Sequence, residues 1–144
     1  MPMNADDFEL SAFTPYLLNM AAEAQGEAFA QIYKSRYGML RTEWRVLYHL
    51  GRYGALSATE ISRRARLHKT KVSRAVRALE QKRFLERTQS DEDHRIEHLA
   101  LRPAGHAAFR DLTESARAFE QALTAKLGQQ RADMLRSLLH DLGA

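Results

Sequence analysis

Cysteine is missing from all 144 residues. Disulfides, thiolate metal sites and thiol redox sensing are excluded with it. No uncharged apolar run approaches the length of a membrane span, so no membrane partner is expected. The opening stretch, MPMNADDFEL, is acidic and lacks the charged-then-apolar order of a secretory signal. A cytoplasmic location is the simple expectation. Internal repeats and low-complexity segments are absent too. So are a nucleophile elbow, a glycine loop that cradles phosphate and an H-E-x-x-H pair. No enzyme, no catalytic residue and no cofactor is therefore expected. Six histidines raise the question of a metal. His94 and His98 share a strand face and His106 follows on a helix, but zinc wants three or four convergent ligands. Nothing in the spacing shows convergence, and no metal site is expected.

The chain does carry 44% hydrophobic and 28% charged residues, which fits one globular domain rather than a disordered chain. Its charge is unevenly placed. Between Ile61 and Phe84 stand nine Lys/Arg and one acid, Glu80, a balance of +8. The whole chain carries +4, so the remainder carries −4. A local basic stripe of this kind suggests an anionic polymer as partner.

Periodicity gives the stripe a geometry. Leu10, Phe13, Leu17, Met20, Ala24, Ala28 and Ile32 recur at helical spacing behind Thr14-Pro15, which reads as a cap and a first-turn proline. Gly38 ends that helix. Thr42 opens a second one, with Glu43 in its first turn, and Gly51 stops it. Ser57 and Glu60 form an S-x-x-E capping box for a brief third helix with Ile61 and Ala65 on its apolar face. After the interruption "RLH", Val72, Ala75, Val76 and Leu79 share one face of a fourth helix. Lys69, Thr70, Ser73, Arg74 and Arg77 share the other. Beyond Phe84 two extended runs flank the polar tip "SDEDH", which predicts a hairpin with Arg95, Glu97, Leu99 and Leu101 alternating on one side. Pro103 starts a long helix with Leu112, Ala116, Phe119, Leu123 and Leu127 in a stripe. Gly128 breaks it before a last amphipathic helix. At about 1.5 Å per residue the long helix reaches roughly 37 Å, too far for one small lobe to cover, and a second copy is the simplest cover. The predicted class is mainly α with a small β-hairpin wing: a helix-turn-helix, its wing, and a helical dimerisation region.

From Thr42 to Gly105 the sequence resembles the MarR family of bacterial winged helix-turn-helix regulators. "KVSRAVRALE" is similar to a family pattern of the form "TVSRLVDRLE". The family's wing signature, D-x-R followed by L-T-x-x-G, is met by Asp93-His94-Arg95, Leu101-Arg102 and Gly105. Arg102 stands where the family has a capping threonine, and Arg83 where it commonly has a glycine. Asp91, Glu92 and Asp93 place negative charge on the wing tip. Asp93 is expected to turn inward and hold the loop or orient Arg95.

The resemblance implies a homodimer with dimerisation helices over 11–37 and 104–142 and a winged helix-turn-helix over 42–102. It implies double-stranded DNA as partner, read as an inverted-repeat operator, with repression relieved by a possible small-molecule effector. A winged-helix protein-interaction module without sequence-specific DNA binding is the alternative. Candidate DNA-binding residues are Ser57, His68, Lys69, Thr70, Ser73, Arg74, Arg77, His94 and Arg95. In the outward helix face, Arg can grip a guanine with two bonds, Ser and Thr can meet base edges or phosphate, and Lys chiefly supplies charge. Ser57 reads equally as a plain cap, and His68 as a cap or a phosphate contact. Arg95 is implied to enter a minor groove. Tyr16, Met20, Tyr48 and His49 are implied to border an effector pocket, while Trp44 reads as core.

Overall fold

Residues 4–144 are described by the computed structural model. The acidic N-terminal stretch read above therefore lies partly outside the described residues. Two 3-10 turns precede helix α1, Thr14–Tyr37. Then come α2, Arg41–Tyr53, α3, Ala58–Ala65, and α4, Lys69–Gln81. Strands β1, Leu85–Gln89, and β2, Glu97–Leu101, pair antiparallel, with Leu85 opposite Leu101 and Gln89 opposite Glu97. Helices α5, Pro103–Leu127, and α6, Gln129–Asp141, complete the fold. The expected class and element order hold. Among the described residues no helix is long and apolar enough to cross a membrane.

The core lies in the central lobe. Val46, Leu47 and Leu50 of α2 meet Ile61 of α3, Val72, Val76 and Leu79 of α4, Leu85, Leu99 and Leu112. Buried apolar side chains at three- and four-residue spacing explain why these short helices hold: tertiary packing stabilises what local propensity alone would not. The wing is sewn to this lobe by a two-residue bridge. Leu56 and Leu99 exchange both backbone hydrogen bonds, at 3.1 and 2.8 Å.

Several helix ends differ from the sequence reading. Thr14 lies inside α1, and Phe13 precedes it without a side-chain cap. Helix α2 begins at Arg41, and the Glu43 carboxylate reaches back to accept from the Leu40 N–H at 3.1 Å. Gly51 does not stop α2. The helix runs on to Tyr53, and Gly51 is the point where the Phe109 ring of α5 lies against it; a Cβ there would stand 2.3 Å from the ring. Gly38 does end α1, in a left-handed conformation at φ 62°. Arg102 precedes helix α5 at the cap position and makes no side-chain cap, as its departure from threonine implies.

Arg83 sits in the same left-handed region, at φ 61°. Its Cβ crowds the following carbonyl there, which costs a non-glycine residue about 1–2 kcal/mol. Glycine also loses more entropy on folding, about 0.4–1 kcal/mol. Arg83→Gly is therefore expected to stabilise the protein by about 0.5–1 kcal/mol, read from urea unfolding. A destabilisation would show that the arginine side chain contributes more than its backbone costs.

Candidate nucleic-acid interface

The outward face of α4 is built by the inward one. With Val72, Ala75, Val76 and Leu79 buried, Lys69, Thr70, Ser73, Arg74 and Arg77 turn outward and line one shallow open concavity. All five are exposed, and no side-chain bond to a described residue engages them. Three other cations of the basic stripe are engaged, whereas Arg63, Lys71 and Arg83 are exposed. Arg64 lies 4.4 Å over the Tyr53 ring, the Arg66 guanidinium donates to the Gly143 carbonyl at 3.2 Å, and Lys82 pairs with Glu43 at 3.3 Å. The stripe thus combines three engaged cations with an unengaged donor face in its middle.

Two candidates are occupied as caps. Ser57 Oγ accepts from the Glu60 N–H at 3.2 Å. His68 Nδ1 accepts from the Thr70 N–H at 3.2 Å, and the His68 ring remains exposed. Between α3 and α4 the chain turns at Arg66, φ 54°, so the two helices meet as a helix-turn-helix.

At the wing tip, Asp93 turns toward Arg95. Its Oδ1 accepts from the Arg95 backbone N–H at 3.0 Å and from Nε at 3.2 Å. The backbone bond, then the guanidinium, hold the Asp93 carboxyl below the usual carboxylate range. Both expected roles of Asp93 are present: it ties the loop and orients the arginine. The Arg95 side chain remains 91% exposed. It belongs to the turn and not to the strand, since β2 begins at Glu97. His94 also lies in that turn, exposed, and so does not share a strand face with His98. No group of three metal-ligating side chains occurs among the described residues.

Sequence reasoning missed what fixes α4 in place. Glu43, the one buried charged side chain among the described residues, accepts from both Leu40 N–H and Lys82 Nζ. It therefore joins the start of α2 to the end of α4. Nothing in local periodicity marks this pair, which is 39 residues apart.

The four effector candidates do not form one site. Tyr48 lines an open concavity between α2 and α5 with Arg52, Phe109, Arg110, Thr113, Glu114 and Arg117. His49 instead donates from Nδ1 to the Arg45 carbonyl at 2.6 Å and stacks on Tyr53. Tyr16 and Met20 stand on the first half of α1, away from that concavity. Arg110, Thr113 and Arg117 fall on one face of α5 at helical spacing, a signal overlooked beside the apolar stripe. Trp44 is packed against Phe29, Tyr33 and Tyr48, as core.

The MarR family model matches residues 37–96. The chain is similar in structure to a MarR/EmrR family transcriptional regulator from Acinetobacter sp. ADP1, at 27% identity and a TM-score of 0.80, over 94% of this chain and 95% of that one. It is similar in fold to BpsR of Bordetella bronchiseptica, whose DNA binding is regulated by 6-hydroxynicotinic acid. That match has 19% identity and a TM-score of 0.84 and covers 94% and 96% of the two chains. NadR in complex with 4-hydroxyphenylacetate matches at 21% identity and a TM-score of 0.72, over 99% and 97%. The comparison with curated protein sequences gives no match. The family match runs from the end of α1 to the wing tip, and the Acinetobacter likeness carries the same architecture through the long terminal helices: residues 37–96 match the MarR family, and the chain as a whole is similar in structure to its transcriptional regulators.

Proposed function

We propose that the protein is a cytoplasmic homodimer that binds an inverted-repeat operator in double-stranded DNA and represses transcription until a small molecule releases it. The observation that carries this reading is the pairing of two exposed surfaces. The outward face of α4 offers Lys69, Thr70, Ser73, Arg74 and Arg77, and the wing presents Arg95. A helix of this kind fits a major groove about 12 Å wide, and an arginine on a wing suits the narrow, negative minor groove of an A·T tract. Ser57, His68 and His94 join this surface as candidate phosphate contacts, the first two while capping their helices.

The effector reading rests on the α2–α5 concavity. Tyr48 and Phe109 give it aromatic walls, and Arg52, Arg110 and Arg117 give it positive charge. Planar aromatic acids suit such a lining, and 6-hydroxynicotinic acid and 4-hydroxyphenylacetate are of that class. Of the four residues named from the sequence, Tyr48 remains the candidate.

Selection from a random DNA pool tests the reading. Arg95→Ala should weaken operator binding by about 1–3 kcal/mol, and less where the flanking A·T tract is replaced by G·C. Arg77→Ala should relax base preference within each half-site if Arg77 grips a guanine. A phosphate contact would instead lower affinity evenly and reduce the salt slope by about one. A pool that returns no motif with the unmodified protein would favour the protein-interaction module instead.

A further inference from the structure

Arg87 was not among the residues that the sequence singled out. It lies on β1, and opposite residues of an antiparallel pair share a face, so Leu85, Arg87 and Gln89 face the same way as Leu101, Leu99 and Glu97. That face packs on the lobe at its base, where Leu85, Leu99 and Leu101 are buried. One step further out the core ends, and Arg87 takes its place. Its Nε donates to Glu80 of α4 at 3.0 Å, and its Nη1 donates to Glu97 of β2 at 3.2 Å. One guanidinium thus holds both strands of the wing against the end of the recognition helix. Level with the Leu56–Leu99 bridge, it makes the ion-paired link between wing and α4 among the described residues.

Glu80 is the single acid of the basic stripe. An acid on a helix meant to approach DNA repels phosphate, and here it is spent on Arg87. The lever is long enough to matter. The wing tip lies about 10–15 Å beyond Arg87 at about 3.4 Å per strand residue. A tilt of about 10° would move Arg95 by about 2 Å, against a minor groove about 6 Å wide.

We propose that Arg87 is a positioning residue: through Glu80 and Glu97 it sets the angle between wing and recognition helix, and so the distance between the major-groove site and the A·T tract that the protein accepts. This rests on the DNA-binding reading above.

The test uses the operator selected by the unmodified protein, with A·T or G·C flanks, and the variants Arg87→Met, Glu80→Gln and their combination. Each single variant should weaken binding about three- to fivefold on A·T flanks, the scale of half-exposed ion pairs, and change little on G·C flanks. The double variant should be no worse than either, because both remove one interaction. The sign for Glu80→Gln decides the matter. Removing an acid from a phosphate-facing helix should tighten binding if Glu80 acts only by its charge, but weaken it if Glu80 positions the wing. Tighter binding by Glu80→Gln, with a salt slope reduced by about one for Arg87→Met, would make Arg87 a direct phosphate contact and overturn the proposal. Unchanged affinity in both variants would overturn it as well. If the unmodified protein selects no operator, the DNA-binding reading fails first and takes this one with it; the other outcomes sink the positioning role alone.

Discussion

Gly105→Ala is expected to destabilise the protein by about 3 kcal/mol, the upper range for overpacking a site that cannot relax. A Cβ at Gly105 would lie 2.0 Å from the Phe84 carbonyl oxygen, 3.0 Å from its carbon and 3.2 Å from Leu101 Cδ2. The nearest obstacle is backbone, and that backbone is pinned. Phe84 N–H donates to the Leu79 carbonyl at 2.9 Å, and the Phe84 carbonyl accepts from Arg102 N–H at 2.9 Å. The end of α4, the start of β1 and the first turn of α5 meet at this one residue. To admit a methyl group, α5 must move off the wing base and the Arg102 bond must stretch. For a chain of this size the loss corresponds to about 10 °C in melting temperature. Gly51→Ala is the internal comparison. Its added Cβ also meets its neighbour too closely, at 2.3 Å, but that neighbour is the half-buried Phe109 ring. A ring at the edge of an open concavity can turn aside, and alanine gains helix propensity of about 1 kcal/mol over glycine. Urea unfolding of both variants should show Gly105→Ala as clearly the costlier. Equal midpoints would mean that the α5 start is free to shift.

The two glycines also mark where the sequence was legible and where it was not. Gly105 stood out through the wing signature, which identified a residue type without saying what it avoids. Gly51 reads as a stop because glycine is a poor helix former, and its contact with a ring 58 positions away has no local trace. The same division runs through the site. The two faces of α4 follow from three- and four-residue spacing, and the Ser57 cap from a four-residue motif, so both could be read directly. Asp93 and Arg95 are two residues apart, close enough for their bond to be foreseen. Glu43 with Lys82, Arg87 with Glu80 and Glu97, and Leu56 with Leu99 are tertiary matches between segments. Each member alone reads as an ordinary surface charge or strand residue. The α2–α5 concavity belongs to this second kind: of the four effector candidates named from the sequence, Tyr48 lines it.

Charging the terminal helices should have the largest effect on function. Leu17→Asp combined with Leu138→Asp is expected to give a folded monomer whose operator affinity falls by about 100-fold or more, because tethering two half-site contacts typically adds two to four powers of ten. The described chain leaves its terminal helices bare. Helix α1 buries only Ala30 and Tyr33, both in its second half, and α6 buries only Ala132. Ten of the thirteen exposed large hydrophobic residues lie in the N-terminal segment through α1 or in the stretch from α6 onward, among them Leu17 at 48% and Leu138 at 49% exposure. The chain exposes 10460 Å², whereas a folded monomer of 16.5 kDa exposes about 7,600 Å². The excess matches or surpasses one partner's share of a large obligate interface, about 1,000–2,500 Å². In a two-fold dimer each substitution occurs twice, which doubles the cost of burying it. In a lone chain both positions are already half in water, and the central core from Ala30 to Leu112 does not include them. The variant should therefore keep its helical circular dichroism while light scattering reports half the mass of the unmodified protein. Its binding to an isolated half-site should match that of the unmodified protein, with the loss confined to the full inverted repeat. A monomeric mass for the unmodified protein at micromolar concentration would refute the dimer, and a variant that remains dimeric would place the interface on another surface.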